Sequence, residues 1–115
     1  MKIVYIAHPV GGDVDKNVKK IKKIIRKIQI TEPDIIPFAP YLIGLMTLDD
    51  SDKTERTIGI NNNREYFKRE GLIWQLWLYG NKISKGMTKE MILALDEGIP
   101  IISKTIGTSH WNAPR

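Results

Sequence analysis

The chain lacks cysteine and any long apolar segment. Without cysteine, its 115 residues can form no disulfide and carry no cysteine nucleophile, which is common in a reducing intracellular compartment. No apolar run approaches the roughly 20 residues that a helix needs to span a bilayer. The N-terminal run, residues 1–7, is too short for a signal peptide, since His8 and Pro9 follow it directly. These absences predict a cytoplasmic protein without a membrane partner.

Residues that bind metals are also scarce. The sequence has two histidines, and its acidic cluster, Asp49, Asp50 and Asp52, has no histidine at ligand spacing. We interpret this cluster as a solvated loop, and we expect no metal site and no cofactor.

Positive charge is concentrated in one segment. The net charge is +5, and seven of the 18 basic residues fall within residues 16–27. Apolar side chains recur there at helical spacing, at Val18, Ile21, Ile25 and Ile28, so the basic residues occupy the other faces of a helix. The pattern favours a solvated outer face, with attraction of anionic small molecules as an alternative. Nucleic acid is not an expected partner, because the segment has little aromatic interleaving for base stacking.

Short apolar runs alternate with helical patterns along the chain. Strands are predicted at residues 2–7, 35–41, 73–79 and 100–103, helices at about 14–29, 55–72 and 84–97, and a short helix or packed loop at 42–48. This alternation predicts an α/β fold with three layers, a flavodoxin- or Rossmann-like parallel sheet of about four strands in the order 2-1-3-4. Residues 1–103 then form one domain, and residues 104–115 form a C-terminal extension without regular structure.

Two glycine-containing loops should meet at one edge of this sheet. Ligands bind outside the carboxyl ends of parallel strands where the strand order reverses, here between the first and third strands. The loops at that point are residues 8–13 and 81–90. In the second loop, Ser84 and Gly86 begin a helix whose free N–H groups could hold a phosphate or sugar beside Glu90. The alternative is an ordinary helix start, with Ser84 or Thr88 as cap and Glu90 complementing the helix dipole.

Several short motifs resemble one enzyme superfamily. They are Tyr5-Ile6-Ala7-x-Pro9, Trp77-x-Tyr79-Gly80, Ser84-x-Gly86-Met87-x-x-Glu90 and Ala94-x-x-x-Gly98-Ile99-Pro100-Ile101. Together they are similar to the nucleoside 2-deoxyribosyltransferase-like superfamily, over residues 2–102, and closest to its short phage and bacterial members. Ser84-x-Gly86-x-x-x-Glu90, with Gly11-Gly12 after the first strand, is also similar to the branch that cleaves deoxynucleoside 5′-monophosphates.

The resemblance implies an enzyme that transfers or hydrolyses the N-glycosidic bond of a nucleoside or nucleoside monophosphate. Glu90 would attack the anomeric carbon of the sugar and form a covalent glycosyl-enzyme. Tyr5 would hold this nucleophile in place. The implied substrate-binding residues are Ala7, His8, Pro9, Gly11, Gly12, Asp13, Ser84, Gly86 and Met87.

Two departures from the superfamily pattern keep an alternative open. Relatives commonly carry an aspartate at the start of the third strand, where this chain has Trp74, and no acidic residue precedes Ser84 to protonate the departing base. The alternative is a protein of the same fold that binds a nucleotide or nucleotide-derived signal without turnover, for example in a conflict between phage and host.

We also expect a homodimer or larger homo-oligomer. Trp74, Trp77 and Trp111 are many tryptophans for so small a core, and the resemblance implies sites completed across subunit interfaces. The alternative is that the first two tryptophans are simply core residues.

Overall fold

The computed structural model describes residues 1–104. The predicted extension therefore lies outside the described residues apart from Lys104, and so does Trp111. The elements in chain order are β1 (Lys2–Ala7), α1 (Val14–Thr31), β2 (Ile35–Phe38), α2 (Tyr41–Thr47), α3 (Lys53–Lys68), β3 (Gln75–Leu78), α4 (Lys85–Asp96) and β4 (Ile101–Ser103). The four strands form one parallel sheet in the order β2-β1-β3-β4, which confirms the predicted class and strand order.

Side chains of β1 alternate between two cores, one on each face of the sheet. Val4 and Ile6 pack in a cluster with Ile28 of α1. Tyr5 and Ala7 face the other way, in a cluster whose helical members come from α3 and α4: Phe67, Met87 and Ala94. Since successive residues of a strand point to opposite faces, β1 is the buried centre of three layers, with α1 on one side and α3 and α4 on the other.

Several element boundaries differ from the predicted ones. β2 ends at Phe38, because Pro40 leads directly into α2, whose first residue is Tyr41. Residues 42–48 are helical up to residue 47 rather than a packed loop. α3 ends at Lys68, four residues early, and Gly71 then turns with a φ of +74°. The three asparagines at 61–63 do not interrupt α3.

The loops after β1 and β3 pack tightly against each other. The Tyr79 N–H donates to the Ala7 carbonyl at 2.9 Å, and a Cβ placed on Gly80 would lie 2.7 Å from Pro9 Cδ. Gly80 also has a φ of +99°, which residues with a side chain rarely adopt. The two loops that sequence analysis assigned to the ligand-binding edge are therefore neighbours. Within residues 1–104, no helix is both long and apolar enough to cross a membrane.

Candidate active site

Glu90 lies on the inward face of α4. It follows the buried Met87 by three residues and precedes the buried Ala94 by four, so the three side chains share one stripe of the helix. That stripe faces β1, where Tyr5 points toward the same side of the sheet. The helix period thus places a carboxylate among apolar and aromatic residues.

Glu90, Tyr5 and Asn63 form a hydrogen-bonded chain. The Tyr5 hydroxyl donates to Oε2 of Glu90, and Nδ2 of Asn63 donates to the Tyr5 hydroxyl oxygen at 2.7 Å. The hydroxyl therefore both donates and accepts, which fixes the direction of its proton toward Glu90. The three hydrogen-bonded side chains come from three separate elements, β1, α3 and α4.

Aromatic rings fix the position of Tyr5. Its ring centroid lies 4.7 Å from that of Phe67, 5.9 Å from that of Tyr41 and 6.3 Å from that of Phe38, whose ring meets it edge-on. The Tyr41 hydroxyl donates to the Ile6 carbonyl at 2.7 Å, which joins the start of α2 to β1. The Tyr5 ring has little freedom to turn away from Glu90.

Burial changes the acid–base properties of this cluster. It raises the pKa of Glu90 from 4.5 to about 7, although hydrogen bonds from Tyr5 and Asn63 oppose the rise. Burial, with the nearby Glu90 charge, raises the pKa of Tyr5 well above 10 and has the same effect on the pKa of Tyr41. Both tyrosines therefore stay protonated at neutral pH, while Glu90 changes charge in that range.

One buried polar atom in the cluster has no partner. Oδ1 of Asn63 is inaccessible to solvent and makes no hydrogen bond within the described residues. Buried carbonyl oxygens are nearly always paired, so this unpaired oxygen is unusual, and a donor from a ligand can reach it only if the side chains around it move. The sequence motifs did not single out Asn63. The available signal was its spacing of four from Phe67, which puts both side chains on one face of α3.

Ser84 serves as the N-cap of α4. Its Oγ accepts the Met87 N–H at 3.2 Å, and Thr88 donates from Oγ1 to the Ser84 carbonyl at 3.1 Å. Met87 is buried in the same core cluster as Tyr5, so it packs beneath the site rather than facing a ligand. Gly86 is exposed, and a Cβ there would come no closer than 3.9 Å to Ser84 Oγ. Packing therefore does not require glycine at position 86.

The predicted substrate residues after β1 lie in a different environment. Ala7 is buried in the core. His8 is 6% exposed; its Nδ1 lies 2.7 Å from the Pro9 carbonyl oxygen, and burial lowers its pKa. Asp13 caps α1 by accepting the Lys16 N–H on Oδ1 at 3.1 Å.

An open groove of about 680 Å³ lies beside α1 and includes much of this first loop. Its lining contains no residue of the segment 83–90, so it lies apart from Glu90. The structure thus brings Tyr5 and Glu90 into contact, but it does not bring residues 8–13 and 84–87 into one groove. The predicted residues in the lining are His8, Pro9, Gly11, Gly12 and Asp13.

Trp74, the residue at the position where relatives carry an aspartate, does not contact the Tyr5–Glu90 pair through any hydrogen bond or ring contact described for residues 1–104. Trp74 stands just before β3, at the amino end of that strand, where the Lys2 ammonium lies 4.3 Å from its ring centroid. Trp77 is buried in the core. The polar side chain that contacts the Tyr5–Glu90 pair is Asn63, on α3. The acidic loop residues Asp49 and Asp52 hold local structure, since Asp49 accepts from Ser51 and Asp52 caps α3.

Comparison with known families gives a single assignment. Residues 2–104 match the family described as Domain of unknown function (DUF7768), and the chain belongs to this family. No curated protein matches the chain. The family description names no activity, so function has to be argued from the site itself.

Proposed function

We propose that the protein cleaves or transfers the N-glycosidic bond of a nucleoside or nucleoside monophosphate, with Glu90 as its nucleophile. The observation that carries this proposal is the Glu90 carboxyl, which lies partly buried on the inner face of α4 and accepts a hydrogen bond from the Tyr5 hydroxyl. A fixed carboxylate in a water-poor site suits attack on an anomeric carbon, where positive charge develops in the transition state.

The proposed reaction has two steps. A Glu90 carboxylate oxygen bonds to the anomeric carbon as the carbon–nitrogen bond breaks, and the bonding electrons leave with the base. Water or a second base then attacks the same carbon and releases Glu90, so that the two displacements retain configuration. The Tyr5 hydroxyl donates to Oε2 of Glu90, so Oε1 is the oxygen that would attack. Because the nucleophile must be ionised, activity should rise with pH through about 7.

Asn63 supplies a candidate contact to the substrate. Its unpaired Oδ1 is an acceptor beside the Tyr5 hydroxyl, and a sugar hydroxyl is a donor of suitable size. Binding of such a hydroxyl would remove the cost of the unpaired buried carbonyl.

A second candidate is a protein that binds the same ligand without turnover. Its favouring observation is that the side chains shifting the Glu90 pKa within the described chain are Tyr5 and Asn63, neither of them a carboxylic acid. General acid catalysis of base departure contributes about 10²–10⁴-fold. Without an acid, base departure would be slow or absent, and the protein would bind the nucleotide without converting it.

Incubation with deoxynucleosides and their monophosphates, with and without an acceptor base, tests the proposal. Chromatography should detect free base or exchanged nucleoside, and Glu90→Gln should abolish both products. Glu70→Gln, which removes an exposed carboxylate, is the matched control and should change neither. If the wild-type protein gives no product, and mass spectrometry instead finds an unaltered nucleotide bound, the binding protein is the correct interpretation.

We further propose a cytoplasmic homo-oligomer. Large apolar side chains lie on the surface, including Met46 at 77%, Ile43 at 62% and Trp74 at 39% exposed, and such surface favours association. Light scattering during gel filtration should give a mass of at least two chains, whereas a monomer at all concentrations would contradict this.

A further inference from the structure

The groove beside α1 has properties that the proposed reaction does not use. It has a volume of about 680 Å³, within the range of small-molecule sites. We name it the α1 groove; its lining comes from α1, the loop after β1 and the loop after β3. The lining residues beyond the first loop are Lys16, Asn17, Lys20, Lys23, Ile24, Gly80, Asn81 and Lys82.

The α1 groove carries uncompensated positive charge. Of the residues that the structure describes, four lysines line it and the one carboxylate there is that of Asp13, which already caps α1. Within residues 1–104, the salt bridge present is that between Arg69 and Glu65, so none of the four ammonium groups has a carboxylate partner there. Burial, with a smaller contribution from the nearby Lys20 charge, lowers the pKa of His8, which favours the neutral imidazole over a fifth cation.

The lysines form a row rather than a single point. Lys16, Lys20 and Lys23 follow each other at intervals of four and three residues, on one face of the helix. Seven residues of α-helix extend about 10 Å. Lys82 adds a cation from the loop after β3. A single phosphate group would contact only part of such a row.

The loop beside this row is tied to α1 by hydrogen bonds from Asn17. Nδ2 of Asn17 donates to the carbonyl oxygens of Val10 and Gly11 at 3.0 and 3.1 Å. A Cβ on Gly11 or Gly12 would meet no atom within 4 Å, so the wall of the groove has free space there. The loop is tied to α1 without filling the groove.

We propose that the α1 groove binds a chain of two or more linked phosphates on a small molecule. The row of cations matches several negative charges in line, and the helix supplies them without a counter-charge to displace. Among residues 1–104, no phenylalanine, tyrosine or tryptophan lines the groove, so this part of the chain offers it none of the stacking platforms by which proteins hold single-stranded nucleic acid. The proposal is independent of any reaction at Glu90, which lies on the other face of the sheet.

Calorimetric titration of the wild-type protein tests this assignment. The probes are inorganic phosphate, inorganic tripolyphosphate, dAMP and dATP. Tripolyphosphate should bind at least about tenfold more tightly than inorganic phosphate, because it can contact several lysines of the row at once and charge-assisted hydrogen bonds are the strong ones. Equal affinity for tripolyphosphate and dATP identifies the phosphate chain as the whole ligand; tighter binding of dATP identifies a nucleotide. Either result supports the groove when Lys20→Gln and Lys23→Gln weaken the binding of that probe.

Matched variants on the same helix distinguish the groove from general positive charge. Lys20→Gln and Lys23→Gln should each weaken tripolyphosphate binding about fivefold or more, and Lys20→Arg should retain it. Lys19→Gln and Lys22→Gln remove the same charge from positions outside the groove and should change affinity far less.

Three results would overturn the proposal. One is equal affinity for inorganic phosphate and tripolyphosphate. Another is equal weakening by the groove variants and the control variants. The third is a single-stranded oligonucleotide that binds with a steep salt dependence and is not displaced by tripolyphosphate, which would identify a nucleic-acid surface instead.

Discussion

Replacement of Glu90 by glutamine should make the protein more stable at alkaline pH. The substitution keeps the size of the side chain and an oxygen that can accept the Tyr5 hydroxyl, but it removes a charge that burial disfavours. The pKa of Glu90 is about 7 in the folded protein against an ordinary value of 4.5. The folded state therefore binds this proton more tightly than the unfolded state does.

The sign and size of the effect follow from proton linkage. Below pH 4.5 the carboxyl is protonated in both states, and its ionisation has no effect on the free energy of unfolding. Between 4.5 and about 7 the unfolded state gains from ionisation while the folded state does not, so stability falls as pH rises. Above 7 the loss is complete and amounts to about 3 kcal/mol, at 1.36 kcal/mol for each unit of pKa. Glu90→Gln should recover that amount near pH 8 and almost none near pH 4.

Urea denaturation of both proteins at several pH values measures this difference. The Glu70→Gln control, at an exposed position, should follow the wild type throughout. A Glu90→Gln protein whose stability relative to wild type does not change with pH would refute the reasoning, and so would one that is less stable at pH 8. A gain in stability with a loss of activity is the pattern expected where function requires a strained, buried charge.

Three further substitutions probe the same region. Tyr5→Phe leaves the Glu90 carboxylate and the Asn63 amide without a shared partner; it should lower the free energy of unfolding by about 1–3 kcal/mol and shift the Glu90-dependent transition in stability to higher pH. Asn63→Asp removes the amide donor to the Tyr5 hydroxyl and adds a second carboxylate beside Glu90, so it should raise the pKa of Glu90 and lower base release at neutral pH by about tenfold or more, as chromatography of the products would show; an unchanged rate would mean that Asn63 does not support the nucleophile. Gly80→Ala forces a side chain into contact with Pro9 at a φ of +99° and should lower the free energy of unfolding by about 1–3 kcal/mol, whereas an unchanged denaturation midpoint would show that the loops can separate.

The sequence predicted the fold because its local signals agree with one another. The run 2–7 becomes β1 with the predicted bounds, and Asp13 caps α1 as expected. The strand order followed from crossover rules that do not depend on side-chain detail. Boundaries were less predictable: Pro40 allowed either a longer strand or a helix start, and the packing of Tyr41 against β1 decided it.

The contacts that define the site and the groove were not predictable from local pattern. Asn63 meets Tyr5 across 58 positions of sequence, and only the docking of α3 on the sheet brings them together. Likewise, the helical period identified the outer face of residues 16–27 but not which lysines face another segment. Lys16, Lys20 and Lys23 line a groove because the loop containing Lys82 packs opposite them, more than 55 residues along the chain.

Trapping of a covalent intermediate tests the role of Glu90 most directly. A 2′-deoxy-2′-fluoro nucleoside slows release of the sugar from an enzyme carboxylate, because fluorine destabilises the positively charged transition state of both steps. Incubation with this compound should add the mass of the fluorinated sugar to the intact protein, and peptide mapping should locate the addition at Glu90. Glu90→Gln should show no addition. An unmodified wild-type protein, in a sample that still binds nucleotide, would contradict the nucleophile and leave a binding protein.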